Sequence, residues 1–297
     1  MFHAKIGSIE KQIFMEIKYF DAHTHAHFPV YGDDGNLIVE HAASAGVGFV
    51  TVGTSKSTSA DAVSFAEKYE NVWACIGLYP GHAVESSRDE DEYGILEKKD
   101  MMPAEPFDYD FFKTLAESKK VVAVGECGLD LSYGETEEKI EAQRNEFIKQ
   151  IKFANEIEKP LMIHCRDLYK ELAELLITHY QLPITHPPII HSFRGTIEEA
   201  KIFLDLGCYF TFGGVITFPP KKNGIIYADV INEIPIEYLL SETDAPWVAP
   251  VPYRGKRNEP AYVAEVVKKL AEIKNVSEEA MREQILKNTK SAFGIEF

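Results

Sequence analysis

The stretch VVAVGECGLD at residues 121–130 carries the architecture, taken with the run of helical period at Glu137–Glu158 and the Pro-Leu-Met-Ile-His at residues 160–164. A short β-rich run, an amphipathic helix and a second apolar run of strand length read as a βαβ unit, which implies a parallel sheet. On either side the same alternation continues and places strands at Ile17–Ala22, Gly48–Gly53, Val72–Gly77, Val121–Gly125, Pro160–His164, Pro188–His191, Cys208–Gly213 and Tyr238–Ser241. Further helical patterns occupy Thr58–Tyr69, Leu168–Tyr180 and Thr196–Leu206. Eight strands with intervening helices are the count of an α/β fold of the (β/α)8 type, a TIM-like barrel.

Two amphipathic segments, Pro260–Lys274 and Ser277–Phe293, come after the eighth strand and are expected on the barrel exterior, the second opened by Ser277 with Glu278 and Glu279 in its first turn. No Gly-, Ser- or Pro-rich linker interrupts the chain, so residues 1–297 read as a single domain, with barrel strands within about 17–245 and the C-terminal helices within 258–297. The polar stretch 84–106, containing ESSRDEDEYG, is too long for an ordinary βα connection and reads as an insertion after strand three, on the face where barrel active sites form.

With 45% apolar and 11% aromatic residues the chain can bury a full core, which excludes intrinsic disorder. No window approaches about 18 apolar residues, and the opening MFHAKIGSIEKQIFMEIKYF is broken by Lys and Glu; neither a membrane span nor a signal peptide is read. Cys75, Cys127, Cys165 and Cys208 are far apart and form no C-x-x-C pair, so reduced core thiols and a cytoplasmic location are expected. No obligate protein partner is evident. The 31 Lys+Arg against 47 Asp+Glu leave a net charge of −16, which opposes a polyanionic ligand unless positive charge is concentrated locally.

In a barrel the C-terminal strand ends ring one mouth, so residues distant in sequence converge there. Asp21-Ala22-His23-Thr24-His25 presents two histidines two residues apart, which on an extended strand face one point. Glu126, His164, His191 and Asp244 fall at the ends of strands four, five, six and eight. Six nitrogen and oxygen donors suit two divalent cations better than a closed, Cys-rich structural zinc. Glu126 is the expected bridge, His23, His25 and Asp244 the remaining ligands of one ion, and His164 and His191 those of the second. Two ions roughly 4 Å apart clamp hydrolytic phosphoryl transfer; a cation-acidified water is the expected nucleophile and Asp244 its general base. Zinc, magnesium, manganese and nickel all suit such ligands.

In this order the residues resemble the TatD family of metal-dependent hydrolases, the TatD-like deoxyribonucleases among the amidohydrolase-like TIM barrels. D-x-H-x-H stands at Asp21 to His25, G-E-x-G-L-D at Gly125 to Asp130, I-H-x-R-D at Ile163 to Asp167 and H-x-F-x-G at His191 to Gly195. E-T-D-x-P stands at Glu242 to Pro246 and R-N-E-P at Arg257 to Pro260, so the resemblance runs almost end to end. It implies a TIM-like barrel, one to three divalent ions, and 3′-to-5′ exonuclease action on DNA ends, with some members acting on other substrates.

Two positions depart from that pattern. Gly77-Leu78-Tyr79-Pro80-Gly81-His82 carries Tyr79 where the family usually has His before Pro; His82 lies three residues on and can compensate, the alternative for it being a water-exposed loop histidine. His27 replaces an Asp and is expected to do nothing at the metals. Tyr79 and His82 therefore join the candidate substrate contacts. The electrostatic objection is met by Arg166, two residues after His164, by Arg194, and by Arg257 in Arg254-Gly255-Lys256-Arg257, all near the mouth and suited to phosphate; a pair with Asp167 or Glu126, or a solvated turn, is the plain alternative.

The expected function is a metal-dependent hydrolase, a deoxyribonuclease acting on single strands or 3′ ends of DNA. The alternatives are an ester or amide hydrolase of the same superfamily, acting for example on an aminoacyl-tRNA linkage or a cyclic amide, and a non-catalytic barrel. The latter predicts a broken ligand set, and the set is unbroken.

Overall fold

The computed structural model describes residues 16–87, 101–180, 186–220 and 224–297. Strands β1 (Tyr19–Thr24), β2 (Val47–Val52) and β3 (Val72–Ile76) are followed by a short ribbon, β4 (Ser86–Ser87) antiparallel to β5 (Met101–Met102). Then come β6 (Val121–Asp130), β7 (Leu161–Arg166), β8 (Ile189–Ile190), β9 (Tyr209–Phe212) and β10 (Leu239–Ser241). The eight barrel strands form one parallel sheet in the order β1-β2-β3-β6-β7-β8-β9-β10, the expected (β/α)8 barrel in a single domain. The ribbon frames the insertion expected over 84–106; its middle, 88–100, lies outside the described residues.

The helices around the sheet are α1 (Gly35–Ser44), α2 (Lys56–Ala66), α3 (Tyr109–Leu115), α4 (Glu137–Glu156), α5 (Tyr169–His179), α6 (Ile197–Asp205), α7 (Tyr227–Glu233), α8 (Val263–Lys274) and α9 (Glu278–Phe293). Local chemistry starts several of them: the hydroxyls of Ser55, Thr136, Thr196 and Ser277 each accept the third helical N–H. Helices α3 and α7, of seven residues each, are too short to show a period in the sequence.

Two apolar layers lie on the two faces of the barrel sheet. Phe20, Ala22, Val50, Val52, Trp73, Cys75, Val122, Met162 and Leu240 pack together with Phe293, Phe297 and Ile295 from the C-terminal segment. Alternate residues such as Phe49, Ala74, Ile76, Val124, Leu161, Ile163 and Phe210 pack against the helices instead. All four cysteines are buried and unpaired. Among the described residues no helix is long and apolar enough to cross a membrane.

Register decides where the polar residues emerge. Between Asp21↔Phe49 and Thr24↔Thr51, β1 has one residue more than β2, and between Val124↔Leu161 and Cys127↔Ile163, β6 has one more than β7. Such bulges re-aim side chains. They turn His23 on β1 and Glu126 on β6 toward the barrel axis, while Ala22 beside the one and Ala123 before the other belong to the inner apolar layer. In β6 glycine is obligatory at two points: a Cβ on Gly125 (φ +154°) would lie 2.3 Å from the Met162 carbonyl oxygen, and one on Gly128 (φ +133°) 2.1 Å from that of His164. Strand β6 continues five residues past its expected end at Gly125, to Asp130.

Among the described residues β10 and β1 share no ladder pairing, and side chains tie the seam instead. The Asp21 carboxylate, fully buried, accepts Thr243 N–H at 2.8 Å and the Thr243 hydroxyl at 2.5 Å, and the Ser241 hydroxyl donates to the Phe20 carbonyl at 2.8 Å. Just above, Asp244 N–H donates to His23 O (2.9 Å) and His25 N–H to Ala245 O (2.7 Å). Replacing Thr243 by Val removes one donor from a buried carboxylate at constant shape. A loss of about 1–3 kcal/mol is expected, read as a lowered urea midpoint of the metal-free protein; an unchanged midpoint would show that the seam does not depend on this tie.

Candidate metal centre

The donors at the mouth fall into two overlapping groups. In the first, His23 Nε2 and His25 Nε2 stand 3.2 Å apart. Glu126 Oε2 lies 3.5 and 3.7 Å from them, and Asp244 Oδ1 4.0 and 3.7 Å. His25 Nδ1 is 2.7 Å from the Val52 carbonyl. A carbonyl only accepts, so Nδ1 carries the proton and the Nε2 lone pair faces the other donors. Phe28 stacks on the His25 ring at 4.5 Å and Trp247 meets it edge-on at 5.1 Å, which fixes its plane.

In the second group, Glu126 Oε1 is 3.0 Å from His164 Nδ1 and 3.9 Å from His191 Nε2. Each histidine is held from behind by a carboxylate: Asp130 Oδ2 at 2.9 Å from His164 Nε2, and Glu242 Oε2 at 2.7 Å from His191 Nδ1. This is the carboxylate–histidine arrangement that orients metal-bound imidazoles. Asp130 is itself anchored by Ser132 N–H (2.8 Å), the Ser132 hydroxyl (2.5 Å) and the Tyr79 hydroxyl (2.9 Å).

These charges need a cation. Burial first, and then the charges of Glu242 and Glu126, push the Asp244 carboxyl well above the usual range, and burial pushes Glu242 up to about 7. Burial also raises Glu126, but hydrogen bonds from His164 and His23 outweigh it and hold that carboxyl well below its ordinary value. Burial pulls His164 down, while Asp130 and Glu126 together overcome it and lift the imidazole up to about 9. Burial and the neighbouring His191 lower His23. Converging imidazole lone pairs and three clustered carboxylates are what a divalent ion neutralises, and the donor chemistry fits one. His23, His25 and Glu126, and likewise Glu126, His164 and His191, present donor atoms all within 4.8 Å of one another.

The structure thus brings together Glu126, His23, His25, His164, His191 and Asp244. Backbone geometry turns the chain sharply at the mouth: Asp244, Ser192 and Asp167, at or just past strand ends, have φ of 55°, 46° and 61°. A cavity of about 290 Å³ opens on the group; Tyr79, His82, Arg166 and Arg194 are among its lining residues, with Tyr133 and Trp247 as aromatic walls. The Arg166 side chain is exposed, with Asp167 Oδ2 4.0 Å from its Nε, and Arg194 Nη2 reaches the Ser192 hydroxyl at 3.4 Å.

Arg257 does not line this cavity. Its guanidinium pairs with Asp34 at 2.8 Å and lies over the Tyr31 ring at 4.9 Å, because this later part of the loop after β10 packs on the turn before α1. His82 is no water-exposed loop residue: it is 3% exposed, with Nδ1 2.9 Å from the Thr54 carbonyl. His27 bonds the Thr51 hydroxyl at 2.7 Å, outside both donor groups. Sequence reasoning missed the supporting carboxylates Asp21, Asp130 and Glu242. Glu242 stands two residues before Asp244, on the same side of an extended strand, and both lie in the E-T-D-x-P stretch.

The protein-family model described as "TatD related DNase" matches residues 20–294. The chain is 32% identical to the uncharacterized metal-dependent hydrolase YabD of Bacillus subtilis, over 93% of this chain and 99% of that protein. It is 30% identical to the 3′-5′ ssDNA/RNA exonuclease TatD of Pantoea ananatis, over 89% and 95% of the two chains. The crystal structure of YjjV, a TatD homologue from Escherichia coli, superposes with a TM-score of 0.77 at 29% identity, covering 94% of this chain and 99% of that one.

A proton on His164 Nδ1 competes with a cation for the same lone pair. Below about pH 9 metal uptake by the stripped protein is therefore expected to release a proton from His164. Affinity should rise by at least about tenfold per pH unit below that value, since the raised Asp244 carboxyl can release a further proton. Calorimetric titration in buffers of different ionisation enthalpy measures this, and pH-independent affinity between pH 6 and 9 would contradict it.

Proposed function

The chain belongs to the TatD-related DNase family of metal-dependent hydrolases, and from that footing we propose that it is a metal-dependent phosphodiesterase that removes nucleotides from the 3′ ends of single-stranded DNA. The observation that carries the reading is the sharing of one cavity by the histidine–carboxylate cluster and by the guanidinium groups of Arg166 and Arg194. Guanidinium forks match phosphate oxygens, and both lie where positive charge offsets an overall charge of −16. The name of the Pantoea relative supports the same substrate class.

His23, His25, Glu126 and Asp244 would hold one divalent ion, and Glu126, His164 and His191 a second. Bound there, such ions supply Lewis acidity to the phosphate and acidify water. Arg166 and Arg194 bind non-bridging phosphate oxygens and set the phosphorus above the cluster. Asp244, whose side chain is 17% exposed toward the cavity, takes the proton of the attacking water. The water oxygen bonds to phosphorus as the bond to the 3′ oxygen breaks, and that oxygen leaves with a proton taken from solvent water. Tyr79 donates its hydroxyl to Asp130 and so stiffens the support of His164. Tyr133 and Trp247 offer apolar walls to a terminal nucleoside.

Replacing Asp244 by Asn should lower nucleotide release from a 3′-labelled single strand by roughly 10²–10⁴-fold, with magnesium, manganese or zinc supplied to metal-free protein. Release that persists in the variant would assign the activity to another site or a contaminant. If neither protein cuts DNA while both take up metal, the ester or amide reading replaces the nuclease.

A further inference from the structure

We infer that Glu242 is a positioning carboxylate shared by the two halves of the centre, holding His23 as well as His191 by their Nδ1 atoms. The inference rests on the ligand reading above. Glu242 is fully buried. Its Oε2 takes the Thr211 hydroxyl and the Nδ1–H of His191, leaving the His191 Nε2 lone pair aimed at Glu126.

Its other oxygen, Oε1, is buried without a hydrogen-bond partner, and so is Nδ1 of His23. The two histidine rings stack, with centroids 3.6 Å apart and 16° between their planes, and His23, His191 and Glu242 present donor atoms within 4.8 Å of one another. His23 Nε2 faces Glu126 and His25, so its proton belongs on Nδ1. A buried donor without an acceptor and a buried acceptor without a donor, in the same dry pocket, are each other's complement. In the structure the two atoms stand beyond hydrogen-bond distance of each other; a small turn of the buried carboxylate lets Oε1 receive the His23 proton while Oε2 keeps that of His191.

The consequence is specific to this arrangement. Val52 O supports only His25, and Asp130 supports only His164, so each serves one ion position. Glu242 supports one imidazole at each, and the two positions are coupled through it.

The test is calorimetric titration of the metal-stripped full chain with zinc and with manganese. Glu242→Gln is expected to weaken both binding steps by about 10–100-fold, and Asp130→Asn only one. Thr211→Val, which loosens the anchor without touching a histidine, should weaken both steps by less and covers the case in which Glu242→Gln does not fold. One weakened step in Glu242→Gln would overturn the inference. So would a third equivalent of metal bound by the native protein and lost in the variant, since the three residues would then be an ion site themselves.

Nitrogen-15 NMR of histidine-labelled, metal-free protein decides the inference even if no metal binds at all, an outcome that would sink the ligand reading alone. Nδ1–H protons of both His23 and His191 should be seen and should disappear in Glu242→Ala, while that of His25 stays. A His23 protonated on Nε2 in the native chain would overturn it.

Discussion

The two oxygens of Glu126, 5% exposed in all, meet nitrogen atoms of four histidines: His164 at 3.0 Å, His23 at 3.5 Å, His25 at 3.7 Å and His191 at 3.9 Å. A buried carboxylate is tolerated only where positive or donating groups surround it. Those groups come from β1 and the turn after it, from β7 and from the end of β8, so the requirement can be met only when the barrel has closed. The bulge in β6 that turns Glu126 inward, and the glycines that let β6 lie against β7, serve this one placement.

Around that carboxylate the barrel is divided along its axis. Its lower part is apolar, packed with Phe20, Trp73, Met162 and Leu240 and lined at one end by Phe293 and Phe297. Its upper part is polar and supported by paired groups: Asp130 behind His164, Glu242 behind His191, Val52 O behind His25. The dry lower part gives the polar groups above it a rigid floor and a low dielectric, which strengthens every interaction among them. The same low dielectric raises the Asp244 and Glu242 carboxyls, so that a proton or a cation must offset the charge gathered there.

Much of this was legible in the chain itself. The alternation of strand-like and helix-like runs identified the barrel and, with it, the convergence of His23, His25, Glu126, His164, His191 and Asp244. Strand ends in a parallel barrel share one mouth, so an ordered series of polar residues at those ends is already a spatial statement. Arg166 lines the cavity two residues after His164, the position its spacing on the strand indicates. The place of Arg257 was not legible, because a loop has no period, and the ion pair with Asp34 joins residues 223 apart in sequence. The burial of His82 was hidden for the same reason.

Fold class and the kinds of donor can be read segment by segment, since both follow from local periodicity and side-chain chemistry. Strand pairing, by contrast, set the register shifts in β1 and β6 and with them the direction of His23 and Glu126. The seam closed by Asp21 and Thr243, and the second row of carboxylates behind the histidines, likewise exist only in the folded barrel. Each of these depends on one strand's position relative to another, which no single segment encodes. A shift of one residue reverses every later side chain on the strand, and that information arises only once the strands are paired.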